Sequence, residues 1–203
     1  MAPIVPDPKK IKPFKNQAAF AAWLSKNHAR ETEIWLRVYK KDSGIASVTC
    51  PEALDVALCW GWIDAIRKSL DAESFLQRYT PRTRKSIWSQ VNRDNIARLT
   101  KAGLMQAPGH AQVEAAMADG RWAAAYAPIR SASAETMPVD LRTAIEANAK
   151  ARKVFKTLGR MNLFALTFRV NNLKTPAGRA KKIAALVEML ARSETIVPEK
   201  PRK

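Results

Sequence analysis

Cysteine is scarce in this 203-residue chain, with Cys50 and Cys59 the two present. On one helix, nine residues would hold them about 13 Å apart, too far to bridge. They fit no disulfide framework and no zinc-ligand spacing, which makes a reducing compartment the expectation. Long apolar runs are missing too, so no membrane span is expected. The opening stretch MAPIVPDPKKIKPFK places prolines where a signal peptide would need an uninterrupted apolar segment. A soluble, cytoplasmic protein follows as the expectation. Chemistry-bearing motifs are equally sparse: there is no glycine-rich phosphate loop, no paired-histidine motif and no nucleophile elbow. Neither His28 nor His110 has a second ligand type at metal spacing, and no catalytic residue, metal or cofactor is assigned.

Acidic residues are few, with 18 Asp plus Glu against 35 Lys plus Arg and a formal net charge of +17. Such a surface attracts polyanions. The imbalance concentrates between Arg142 and Lys182, where eleven Lys or Arg face one acid, Glu146. Within that segment, TPAGRAKK puts Arg179, Lys181 and Lys182 in the first two turns of an expected helix, whose free N–H groups already favour an anion. Arg169 and Lys174 extend the candidate anion site. A solvated basic face and a phosphate-binding site both account for the pattern. Aromatics in the segment are limited to Phe155, Phe164 and Phe168, which supports backbone contact to duplex or structured RNA over base stacking on single strands.

What is present builds an α+β protein: a small antiparallel sheet with packed helices in an N-terminal unit, then an all-helical C-terminal module. Residues 1–13, with four prolines, read as an extended arm. An α+β domain is expected over 14–127, a linker over 128–138, the helical module over 139–192 and a frayed tail over 193–203. KNQAAFAAWLSKNHA carries Phe20, Trp23 and Leu24 at helical spacing, and in ETEIWLRVYKK the residues Ile34, Leu36 and Val38 alternate with Trp35, Arg37 and Tyr39 as in a strand. Thr49 and Glu52 form a capping box opening a buried helix from Cys50 to Ile63. Runs Ile66–Leu70 and Phe75–Thr80, around the DAES turn, read as a hairpin.

Polar groups gather beside aromatics between Trp60 and Asn92. With the helix ending near Ile63, Asp64 would sit at its C-terminus, where the macrodipole disfavours a carboxylate by about 0.3–1 kcal/mol. One reading is an ion pair with Arg67, Arg78 or Arg82 that ties helix to hairpin. The other is a ligand pocket in which Asp64, Arg78, Thr80, Arg82, Ser86 and Asn92 converge between walls of Trp62 and Trp88. Cys50, at a helix N-terminus, sits where a thiolate would be stabilised.

These residues also carry a resemblance. CPEALDVALCWGWIDAIRKSLDAESFLQRYTPRTRKSIWSQVN resembles the signature of the YdeI/OmpD-associated, or bacteriocin-protection, family, in which a Gly-Trp-Ile-Asp turn precedes an Arg-Tyr-Thr-Pro-Arg strand and a Ser-x-Trp-Ser helix. Here these are Gly61 to Asp64, Arg78 to Arg82, and Ser86, Trp88, Ser89 and Asn92. The likeness runs from about residue 14 to 192, through LFALTFRVNNLKTPAGRAKKIAALVEMLA. Ala177 and Gly178 stand where the family's last helix usually has an acid and a threonine. The resemblance implies a bacterial stress or bacteriocin-tolerance role with no established reaction. The expectation is thus a non-enzymatic protein binding an anionic partner, such as nucleic acid or a phosphate-bearing ligand, through its basic module. A small-ligand receptor or enzyme using Trp62, Asp64, Arg78 and Trp88 is the alternative, and a protein-binding scaffold a third.

Overall fold

In the computed structural model, residues 4–173 and 175–199 are described. The chain forms two compact units, Met1–Ala125 and Tyr126–Lys203.

The first unit is built on a four-stranded sheet of order β1-β2-β4-β3. Strand β2 (Ile34–Tyr39) pairs antiparallel with β4 (Ser74–Pro81), which pairs antiparallel with β3 (Trp62–Ser69). The expected hairpin is present, and its turn is tied by Asp71 Oδ1, which accepts from Glu73 N, Ser74 N and Ser74 Oγ. The sheet is mixed rather than purely antiparallel, because Ile11–Pro13 of the expected arm forms β1 and pairs parallel with β2. Ahead of β1 the chain crosses the sheet, with Lys68 of β3 donating to the Ile4 carbonyl and Lys10 pairing with Glu33.

Helices α1 (Gln17–Asn27) and α2 (Cys50–Cys59) pack on the sheet face bearing Ile34, Leu36, Val38 and Tyr79, and bury Phe20, Leu24, Val56 and Trp62 between the layers. Leu58 and Cys59 of α2 enter a second core with Ile96 and Leu99 of α3 (Gln90–Lys101) and Val113 and Ala116 of α4 (Ala107–Ala118). Burial on two sides explains why α2 is apolar nearly all round. The helix ends four residues earlier than expected. Gly61 takes φ +73°, a conformation that costs other residues about 1–2 kcal/mol, and turns the chain directly into β3. Its closeness to α4 also demands glycine, since a Cβ would stand 2.7 Å from the Pro108 carbonyl oxygen.

The second unit contains α5 (Val139–Ala147), α6 (Ala149–Phe155), α7 (Arg160–Asn171) and α8 (Pro176–Ala191). Asn148 caps α6 by accepting from Lys150 N and Ala151 N, which separates α6 from α5. Leu141, Ile145, Phe155, Leu166, Val170, Leu186 and Leu190 form its core. The expected linker contributes to this unit, because Met137 is buried in that core. Nor is the tail frayed through residue 199: the buried Asn162 amide donates to the Val197 carbonyl (2.7 Å) and accepts from Val197 N (3.0 Å). Among the described residues, no helix is long and apolar enough to cross a membrane.

Candidate functional site

In the first unit a cavity of about 350 Å³ opens between the sheet, α2 and α3. The capping box delivers its first wall. Thr49 N donates to Glu52 Oε2 (2.8 Å) and Glu52 N to Thr49 Oγ1 (3.4 Å), so α2 begins at Cys50 and presents Cys50, Pro51, Leu54 and Asp55. From α3 come Val91, Asn95 and Arg98, spaced i, i+4, i+7 on one face. Arg98 donates to Asp55 at 2.6 Å and clips the two helices at the rim.

The sheet supplies the floor: Gln77 and Tyr79 from β4, Asp64 and Arg67 from β3. Asp64 and Arg67 are three residues apart, a spacing that puts side chains on opposite faces of a regular strand. A bulge removes that difference. Asp64 pairs with Tyr79 and Arg67 with Gln77, leaving Ala65 and Ile66 to oppose the single residue Arg78. Arg67 Nε donates to Gln77 Oε1 (3.0 Å), its Nη2 donates to Cys50 Sγ (3.1 Å), and the guanidinium lies 4.5 Å from the Phe75 ring centroid.

Electrostatics follow from this placement. Asp64 keeps surface open to water, yet enough protein surrounds its carboxyl that desolvation raises the pKa, with Arg82 and Arg67 opposing. It makes no direct ion pair among the described residues. Burial also pushes the Cys50 thiol up; Arg67 opposes this and Asp64 reinforces it. The helix N-terminus therefore does not make Cys50 a thiolate. Tyr79 is held neutral well above the usual phenol range by burial, with Asp64 and Cys50 adding to it.

Of the eight residues expected to converge, only Asp64 lines this cavity. Trp62 and Trp88 do not wall a common pocket. Trp62 is in the first core, edge-on to Trp23, with its Nε1 donating to the His28 carbonyl (3.3 Å). Trp88 is in the second, against Trp122, with the buried Arg82 guanidinium 3.6 Å from its ring. Arg78 pairs with Glu33 at 2.6 Å and, with Thr80, lies on the opposite face of β4 from Gln77 and Tyr79. Ser86 accepts from Thr83 N in a turn, and Asn92 N donates to the cap residue Ser89. The physical cause is the early end of α2: Asp64 belongs to a strand, not to a helix C-terminus, so its neighbours are set by strand pairing and by the bulge at Ala65 and Ile66. Sequence reasoning misses Gln77, Tyr79 and Asn95 and singles out Cys50 and Arg67 only separately, because a bulge and a helix–sheet packing bring the five together. Among the described residues, no three His, Cys, Asp or Glu side chains converge as a metal cage requires.

In the second unit, the expected anion residues at the start of α8 are differently engaged. Arg179 makes a two-pronged pair with Asp140 (2.6 and 2.9 Å), and its Nη1 donates to the Val170 carbonyl (3.2 Å). It therefore closes the end of α7 and is not an open anion ligand. Thr175 Oγ1 takes one helix N–H, from Gly178. Arg169 and Lys181 are exposed, Lys182 is half-buried, and Lys174 lies outside the described residues. A different cationic feature stands on α6. Lys150 and Lys153, spaced i, i+3, line a hollow of about 300 Å³ with Val154, Thr157, Ala191 and Ser193 where α6 packs along α8. Both lysines belong to the basic segment recognised in the sequence, where nothing distinguished them from its other cations.

Residues 135–193 match the model of the family described as bacteriocin-protection, YdeI or OmpD-associated. Residues 12–112 match a different one, described as a domain of unknown function, DUF8412. The family resemblance drawn over 14–192 is thus supported in the C-terminal region, while the Gly61–Asn92 motif falls where the other model matches. No curated protein and no solved structure matches the chain.

Proposed function

We propose that this chain is a non-enzymatic, cytoplasmic stress-tolerance protein of the bacteriocin-protection type that holds a phosphate-bearing polyanion on its basic C-terminal unit. The observation that carries this reading is the hollow between Lys150 and Lys153 of α6, which lies inside the stretch matching that family. The surrounding charge supports it, because only Glu146 offsets eleven cations between Arg142 and Lys182. Arg169, Lys181 and Lys182 add further cations to the same segment, whereas Arg179 contributes to architecture through Asp140.

The test is duplex RNA or DNA binding by the whole protein at a series of salt concentrations. Each neutralised phosphate contributes roughly one unit to the slope of log K against log salt, so the double variant Lys150→Ala, Lys153→Ala should flatten it by about two. A slope unchanged in that variant would remove the hollow from the interface. No salt-dependent binding to either duplex would overturn the reading.

A further inference from the structure

We propose that the cavity between the sheet, α2 and α3 of the first unit binds a small zwitterion with an aliphatic side chain, of the α-amino acid or dipeptide class. This is independent of the polyanion reading, which concerns the other unit.

Three observations converge. The first is the bulge, which turns Asp64 and Arg67 onto one sheet face and sets an anion and a cation side by side in the same cavity. Bulges recur next to functional sites because they re-aim a side chain in this way. A regular β3 would have sent Arg67 to the other face.

The second is charge balance. Asp55 and Arg98 neutralise one another at the rim. Asp64 and Arg67 do not pair directly, and Arg67 is instead held in place by Gln77 and Cys50, which are uncharged partners. That leaves one carboxylate and one oriented guanidinium in a cavity of zero net charge. A ligand of single charge would meet one attraction and one repulsion. A ligand with an ammonium for Asp64 and a carboxylate for the Arg67 fork satisfies both, and charge-assisted hydrogen bonds are the stronger kind.

The third is the lining. Gln77 and Tyr79 are almost wholly buried side chains that line the cavity; the Gln77 amide is taken up in holding Arg67 and neighbouring carbonyls, while Tyr79 adds a neutral phenol. Pro51, Leu54 and Val91 form the apolar remainder, which suits an aliphatic side chain of a ligand. The volume falls at the small end of ligand pockets, suited to an amino acid or dipeptide rather than a nucleotide.

Calorimetric titration of the full-length protein with L-leucine and glycyl-leucine tests this, with leucinamide and 4-methylpentanoate as ligands each lacking one charge. At least one zwitterion should bind, and removal of either charge should weaken it ten-fold or more. Asp64→Asn should weaken it by a similar factor, and thermal melting of that variant confirms that it folds. If neither zwitterion binds, if the single-charge analogues bind equally well, or if Asp64→Asn binds as the parent does, the proposal is overturned.

Discussion

Asp64 and Arg67 face the same side of the sheet although they stand three positions apart, because Ala65 and Ile66 together oppose only Arg78. The bulge thereby places a carboxyl where desolvation disfavours its charge. Its raised pKa means that the folded state holds the proton more tightly than the unfolded chain. That contribution is present below the unfolded pKa and lost as pH rises through the folded one.

Asp64→Asn should therefore gain stability relative to the parent as pH rises through and above the ordinary carboxylate range. Asp71 predicts the opposite sign. Its hydrogen bonds from Ser74 lower its pKa, with Arg37 adding to the effect, so its contribution exists above the unfolded pKa and is lost as pH falls through the folded one. Asp71→Asn should remove stability at neutral pH and little in acid. Urea denaturation across the acid-to-neutral range measures both, and equal effects at all pH values would contradict them.

Glycine substitutions should separate backbone strain from space. At Gly44, φ is +70° and a Cβ would meet nothing within 4 Å, so Gly44→Ala should cost about 1–2 kcal/mol. Gly61→Ala carries the same strain and a clash with the Pro108 carbonyl, and should cost more. Gly109 has no strained φ, but its Cβ would lie 2.2 Å from the Cys59 carbonyl oxygen, forcing α4 off α2. Its alanine variant should lose about 1–3 kcal/mol or more, read from denaturation midpoints.

Asn162→Ala should release the segment around Val197. It removes both hydrogen bonds to that backbone at a site only 2% exposed, at a cost of about 1–3 kcal/mol. Faster amide exchange at Val197 and earlier proteolytic trimming of the C-terminus would report it. Unchanged exchange would show that Ile196, which packs against the core, holds the segment without the amide.

Thr49→Ala should cost about 1 kcal/mol by removing the side-chain half of the capping box. Because the cap starts α2 at Cys50, the variant should also loosen the cavity wall, seen as faster alkylation of the Cys50 thiol. Alkylation at the parent rate would place the wall's rigidity in the α2–α3 clip between Asp55 and Arg98.

By itself the sequence determined what short-range patterns encode. The T-x-x-E cap began α2 at Cys50, the alternation in Ile34–Tyr39 made a strand, DAES turned a hairpin, and Asn148 divided two helices. These signals act within a few residues, where hydrogen bonds and periodicity are local. Tertiary structure decided the rest. Gly61, pressed against α4, ended α2 early and moved Asp64 from a helix end into β3. The bulge then chose its neighbours, and packing sent Trp62 and Trp88 into separate cores. In the second unit, Asp140 claimed Arg179 across 39 residues, while Lys150 and Lys153 came to line the hollow against α8. Which cation is neutralised and which stays open depends on chain segments that meet only on folding, and residue spacing carries no record of that meeting.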